Sequence, residues 1–125
     1  MKRAMVLAAA IAVVFVPVAE AGKARTTVTL DNIEVTPGET LWTGDIFSPR
    51  KACKNRRRVF VYRVRAGADE KRGSTLSYKG KAQPGYFWVY EEEGIPPTGG
   101  YYAKVKPTAR CKGDRSPTLS LGVVS

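Results

Sequence analysis

Residues 58–65 read Arg58-Val59-Phe60-Val61-Tyr62-Arg63-Val64-Arg65, and this stretch decides the fold class. Valine and aromatic residues dominate it, and such residues favour the pleated surface of a β-strand. Val59 and Val61 share one face of that strand, and the aromatic Phe60 and Tyr62 share the other. Because both faces carry apolar side chains, we predict a central strand, or one whose second face is half covered by a neighbour.

Short apolar runs of the same kind recur along the chain, separated by Gly, Pro, Asn and Asp, and none has a helical period. This pattern is typical of an all-β protein. We predict about seven strands in two antiparallel sheets packed as a β-sandwich, with residues 91–100 as a long loop. The predicted strands cover residues 26–30 with a short continuation at 33–35, then 41–47, 58–65, 74–79, 86–90, 101–106 and 119–124.

The N-terminus has the pattern of a secretory signal peptide. Lys2 and Arg3 precede an apolar run, and Ala19-Glu20-Ala21 places small residues where a signal peptidase requires them. A transmembrane anchor is the alternative, but the run of about 15 residues is shorter than the ~20 that span a bilayer. We therefore predict a signal peptide at 1–21 and a single domain at 22–125. The mature protein is expected to be secreted, periplasmic or associated with the envelope, without a membrane span.

Cys53 and Cys111 are the two cysteines of the chain. In an oxidising compartment such a pair forms a disulfide, and the closed loop of about 60 residues corresponds to about 4 kcal/mol of stabilisation. A redox pair is the alternative, although redox cysteines usually lie as Cys-x-x-Cys. We predict a structural disulfide that joins two loops at one end of the sandwich.

A resemblance follows from the spacing of these residues. The stretches are Cys53-x-x-x-Arg57-x-Val59-x-Val61-Tyr62-Arg63, then Gly85-x-Phe87-x-Val89, Gly100-x-Tyr102-x-Ala103-x-Val105 and Cys111-Lys-Gly-Asp-Arg-Ser116. Over residues 26–124 the chain resembles small secreted bacterial β-sandwich domains, similar to carboxypeptidase-regulatory-like (transthyretin-like) and immunoglobulin-like modules. Such modules share no catalytic residues, so the resemblance implies a fold and no active site.

The chain is strongly basic, with 21 Lys and Arg against 11 Asp and Glu and a net charge of +10. The basic side chains concentrate around Cys53. The interpretation that we favour is a solvated loop; the alternative is a site for an anionic polymer, since arginine binds phosphate oxygens in pairs. Export argues against nucleic acid as the partner, which leaves a cell-wall polymer, lipopolysaccharide, an acidic glycan or another protein. The candidate anion-binding residues are Arg50, Lys51, Lys54, Arg56, Arg57, Arg58, Arg63 and Arg65.

Three aromatic side chains, Tyr86, Trp88 and Tyr90, share one face of the strand over residues 86–90. They are candidates for an exposed contact surface for sugar rings or a protein partner if Phe87 and Val89 point inward. The interpretation that we favour is that all three pack beneath a neighbouring strand or loop.

The chain has no His, which excludes Ser-His-Asp and Cys-His nucleophiles and His-ligated metal centres. Glu91-Glu92-Glu93 is expected to pair with the basic loop or to be solvated. We predict no catalytic residue, metal or cofactor. The predicted function is that of an exported non-enzymatic module for binding or structure in the envelope or outside it. The alternative is a basic effector that binds an anionic polymer.

Overall fold

A computed structural model describes residues 22–122, so the predicted signal peptide and residues 123–125 lie outside the described part of the chain. Within it, ten strands form two antiparallel sheets, compatible with the predicted all-β sandwich. None of the described residues belongs to a helix that could cross a membrane. The strands are β1 (Thr27–Val28), β2 (Asn32–Thr36), β3 (Glu39–Phe47), β4 (Arg58–Arg63), β5 (Glu70–Leu76), β6 (Tyr78–Lys79), β7 (Tyr86–Glu93), β8 (Gly99–Val105), β9 (Asp114–Arg115) and β10 (Leu119–Leu121).

The first sheet has the order β1-β3-β7-β6, and β2 pairs with the same edge of β3 as β1 does. The second sheet has the order β10-β8-β4-β5, and β9 pairs with the same edge of β8 as β10 does. The strand over 58–65 is therefore central, as its sequence predicts, with β8 and β5 on its two sides.

The core lies between the two sheets and is built by period-2 alternation. In β3, Trp42 and Ile46 are buried while their neighbours are more exposed. Trp88 of β7 and Tyr101 of β8 are fully buried beside them, and the ring centroids of Trp42 and Tyr101 lie 5.6 Å apart. Burying such large rings supplies much of the hydrophobic stabilisation of so small a domain.

The prediction of one long loop over residues 91–100 was wrong. β7 continues to Glu93 because Glu91–Glu93 pairs with Glu39–Leu41, and β8 begins at Gly99. Glu92 is held in the ladder by an ion pair with Arg72 of β5, so the run of carboxylates does not end the strand. Long-range pairing outweighs local composition here. β5 likewise begins in residues predicted to be a turn, and β9 forms in residues predicted to be a loop. β9 and the division of the predicted strands at 26–35 and 74–79 into two strands each raise the count from about seven to ten.

The Cys53–Cys111 disulfide is confirmed, with its Cα atoms 5.6 Å apart. Cys53 closes a short 3₁₀ turn (Lys51–Cys53) before β4, and Cys111 follows β8. Since β4 and β8 are neighbours in one sheet, the link joins two loops at the same end of that sheet. β3 also ends there, so this end of the molecule gathers the residues 48–57 and 106–113.

Candidate anion-binding site

Arg57 is the centre of the disulfide end, and its side chain is only 6% exposed. Its guanidinium donates to the carbonyls of Cys53 and Lys106 at 2.8 Å each, to that of Lys112 at 3.1 Å and to the Thr26 hydroxyl at 3.2 Å. Burial lowers the pKa of Arg57, but a guanidinium stays charged in proteins. This predicted site residue therefore fastens three chain segments together from inside and does not face a ligand.

The N-terminal segment joins this end by main-chain pairing. Ala24 donates its N–H to the Arg110 carbonyl and accepts from the Lys112 N–H, both at 2.8 Å. The residues 22–25 therefore lie beside the Cys111 loop, which the disulfide fixes beside the loop before β4. Three segments distant in sequence thus meet at one end of the sandwich.

Besides the buried Arg57 and Lys106, which lies over the Phe60 ring, these three segments contribute eight basic side chains that we call the basic pole. No Asp or Glu occurs at residues 22–26, 48–57 or 106–113. Within residues 22–122, the ion pairs all lie elsewhere, among Arg63, Arg72, Glu70 and Glu92. Concentrated like charges without counter-charges raise the local potential and attract polyanions. The basic pole consists of Lys23, Arg25, Arg50, Lys51, Lys54, Arg56, Arg110 and Lys112.

Four of the eight predicted residues belong to the basic pole: Arg50, Lys51, Lys54 and Arg56. Arg58 begins β4 next to the pole, is exposed and donates to the Ser74 hydroxyl at 3.3 Å. Arg63 and Arg65 lie at the other end of β4, about 17 Å away at the usual rise per residue. There Arg63 donates to the Thr98 carbonyl and lies 3.9 Å from Glu70, so these two arginines do not join the predicted cluster.

The other four pole residues were missed by sequence reasoning. The disulfide itself is the signal that could have found Arg110 and Lys112, because they flank Cys111 and the link brings them to Cys53. Lys23 and Arg25 reach the pole through the main-chain hydrogen bonds of Ala24 to a segment about 86 residues later. Nothing in the sequence near Ala24 indicates this pairing.

A cavity of about 320 Å³ opens beside the basic pole. Ile46, Phe47 and Tyr86 give it an apolar lining, and Arg25 and Lys54 line it as well. The Lys54 ammonium lies 5.1 Å from the centre of the Tyr86 ring, a cation–π distance that holds the lysine beside the cavity. Phe47 is 53% exposed. The cavity therefore combines exposed apolar area with two positive charges.

Tyr86, Trp88 and Tyr90 face the core, so they form no exposed ladder. Tyr86 is 8% exposed, Trp88 is fully buried and donates to the Thr29 carbonyl at 2.9 Å, and Tyr90 packs against Trp42. Phe87 and Val89 lie on the outer face instead. The structure therefore agrees with the interpretation that these side chains pack inside, because β7 is a central strand whose inner face is covered by the second sheet.

Carboxylates gather on the first sheet rather than at the pole. Asp31 and Asp45 line a second cavity of about 350 Å³ together with Tyr78 and Phe87. Burial raises the pKa of the Asp45 carboxyl, and a hydrogen bond with Asp31 and the charge of Asp31 raise it further.

Glu92 accepts from Arg72 and from the Tyr90 hydroxyl, so it pairs within the sandwich and not with the basic loop. Glu91 and Glu93 are exposed. No group of three or more Cys, Asp or Glu that could hold a metal ion is found among the residues that the structure describes.

Comparison with known proteins adds no assignment: no family model matches the chain, and no curated protein matches it either.

Proposed function

We propose that the mature chain is an exported, non-enzymatic binding module whose basic pole holds an anionic polymer of the cell envelope or its surroundings. The observation that carries the proposal is the convergence of residues 22–25, 50–56 and 110–112 into one end with eight basic side chains and no carboxylate. A disulfide and the buried Arg57 fix that convergence, so the charges are held together before any ligand arrives. Preorganised charge lowers the entropic cost of binding.

Secretion remains part of this proposal. The signal-peptide pattern at 1–21 supports it, and a disulfide is most common in oxidising compartments outside the cytosol. Mass spectrometry of the protein recovered from culture medium or periplasm should find a chain that begins at Gly22. A chain that retains Met1 in the cytosol would contradict the proposal.

The proposal is tested by elution from immobilised heparin in a salt gradient. Polyanion binding releases counterions, so the salt needed for elution reports how many positive charges contact the polymer. We expect retention well beyond that of a neutral protein. The variant K51Q with K112Q removes two exposed pole charges whose side chains have no hydrogen bond in the structure, and it should elute at clearly lower salt.

The matched control is R63Q with R65Q, which removes two charges at the opposite end of β4 and gives the same net charge. It should elute close to the unchanged protein. Equal losses in the two double variants would mean that net charge alone causes retention, and the pole would not be a site. If the unchanged protein eluted at the same salt concentration as a neutral protein, the proposal would be refuted.

We also propose that the sandwich is immunoglobulin-like rather than transthyretin-like. In immunoglobulin lettering, β1 and β2 are strand A, and β3, β4, β5, β6, β7, β8 and β10 are strands B, C, C′, D, E, F and G. The two sheets then have the orders A-B-E-D and G-F-C-C′, which are those of immunoglobulin domains. In strand F (β8), the hydroxyl of Tyr101 donates to the Pro97 carbonyl, as in a tyrosine corner. The disulfide departs from that family, whose bridge joins the two sheets. Cross-strand nuclear Overhauser contacts that give a different strand order would refute this proposal.

A further inference from the structure

The outer face of the second sheet combines aromatic rings with cations that lie over them. Phe60 and Tyr62 of β4 and Tyr102 of β8 point away from the core on this face, and Tyr62 stacks on Tyr102 with their centroids 5.3 Å apart and planes 9° apart. The sequence shows two of these rings as the second apolar face of residues 58–65, but it does not show what covers them.

Four cations from three neighbouring segments cover these rings. The ammonium groups of Lys71 and Lys106 lie 5.2 and 4.6 Å from the centre of the Phe60 ring. That of Lys104 lies 5.8 Å from the Tyr62 ring, and the Arg115 guanidinium lies 3.6 Å from the Tyr102 ring. Lys71, Lys106 and Arg115 are exposed to solvent. We call these seven residues the cation–aromatic face.

The rings keep the cations in place at little cost. A free lysine loses up to ~2 kcal/mol of rotamer entropy when it is fixed, and a cation–π contact compensates part of this loss before a ligand binds. A carboxylate, that of Asp69, lies at this face and accepts from the Tyr102 hydroxyl at 2.7 Å. None of the four cations has an ion-pair partner within 4 Å among the described residues. The face is thus a prearranged set of positive charges separated by apolar ring area.

The face adjoins the basic pole. Lys106 follows β8 on the way to Cys111, and Arg58 starts β4 on the way from Cys53, so charge continues from the pole onto the sheet. A polymer held by the pole would therefore pass over the cation–aromatic face. This inference rests on the proposed function and adds to it the class of ligand.

We infer that the cation–aromatic face binds a linear polysaccharide that carries carboxylates, of the uronic acid type. Each unit of such a polymer presents an apolar C–H face and one carboxylate, which complements apolar ring area alternating with ammonium groups. A polyphosphate has charges but no C–H face to contact the rings. A nucleic acid is disfavoured by the export on which the proposed function rests.

The test compares three probes by isothermal titration: polygalacturonate, polyphosphate and single-stranded oligothymidylate. The variant F60V with Y62V keeps the strand propensity and all charges but removes two rings. It should weaken polygalacturonate binding by about tenfold, since the lost contacts are worth about as much as an aromatic pair, and should weaken polyphosphate binding far less. Far-UV circular dichroism and thermal melting verify that it folds, and K104Q tests the same face without removing a ring.

K104Q should weaken the binding of polygalacturonate, and a K104Q variant that binds it unchanged would contradict the inference. Equal losses of affinity for polygalacturonate and polyphosphate in the ring variant would also overturn it, because the rings would then serve only to position the cations. The inference would also fall if oligothymidylate bound more tightly than polygalacturonate and the ring variant weakened that binding, since this would indicate base stacking. If polyphosphate binds at the pole and polygalacturonate does not bind, the proposed function stands and this inference falls. If no probe binds, both fall.

Discussion

Arg57 shows how one residue can be misread from sequence and still matter to the site. Its position in a run of three arginines predicts a ligand contact, yet four protein oxygens surround its guanidinium and no carboxylate is among them. Because the partners of Arg57 are neutral carbonyl and hydroxyl groups, they stabilise its positive charge without cancelling it. The residue both builds the pole and adds to its potential.

We predict that R57K destabilises the protein by about 2–3 kcal/mol, because a single ammonium group cannot reach all four oxygens and buried acceptors are left unpaired. Urea unfolding followed by tryptophan fluorescence measures this. R58K, at an exposed position next in the chain, should change the free energy of unfolding little. Equal stability of the two variants would contradict the bonding described for Arg57.

Asp45 gives a prediction about pH. Its folded-state pKa is raised, so protonated Asp45 favours folding at low pH, and this contribution is lost as the pH rises through the folded-state pKa. D45N removes the cost of ionising it. The variant should therefore melt at a higher temperature than the unchanged protein at pH 7, and the two should converge at about pH 3, below the ordinary Asp pKa. A D45N variant less stable at pH 7 would contradict this.

At the level of elements, Gly44 lets a chain segment pass close to the middle of β3. A Cβ atom at this position would lie 1.9 Å from the Thr29 carbonyl oxygen, which also accepts from the Trp88 indole. We predict that G44A destabilises the fold by about 2–3 kcal/mol through displacement of that segment. G67A is the control, since a Cβ there meets nothing within 4 Å. Chemical denaturation measures the free energy of unfolding of both variants, and similar values for G44A and G67A would contradict the packing described.

The strands that could be predicted are those whose own residues alternate. Residues 41–47, 58–65 and 86–90 show an alternation of side chains that matches their burial, and all of them lie in strands except Val64 and Arg65, which follow the end of β4. Glu91–Glu93 and Gly99 could not be predicted, because the first pairs with β3 and the second with β10, and the ion pair of Glu92 also comes from a distant segment. The orientation of Tyr86, Trp88 and Tyr90 was open for a similar reason, since which face of β7 is inside depends on the other sheet.

The candidate site was predictable in part. The charges near Cys53 are visible in the sequence, and the disulfide tells which second segment joins them. The cation–aromatic face was not, because its lysines lie in β5, in β8 and just after β8, and only strand pairing brings them over the rings of β4. Sheet neighbours are a property of topology, which local patterns do not encode.

At the scale of the whole molecule, charge is unevenly distributed. The disulfide end carries the basic pole, whereas seven carboxylates belong to the first sheet and its turns, namely Asp31, Glu34, Glu39, Asp45, Glu91, Glu92 and Glu93. Such separation orients the molecule in the field of a polyanion before contact and raises the association rate at low salt.

The disulfide is predicted to support both stability and this arrangement. Replacement of Cys53 and Cys111 by Ser should cost about 4 kcal/mol, since the unfolded chain regains the freedom of a long loop. For a domain of this size the melting temperature should fall by more than about 10 °C. Differential scanning calorimetry compares the variant with the oxidised protein. A melting temperature unaffected by the loss of the link would contradict its structural role.

The most direct test of the basic pole is nuclear magnetic resonance of the ¹⁵N-labelled mature chain during titration with a heparin-derived oligosaccharide. The account predicts that the largest amide shifts cluster at residues 22–25, 50–56 and 110–112, three segments that only the fold brings together. Shifts confined to the opposite end around Arg63 and Arg65, or to the outer face of the first sheet, would contradict it.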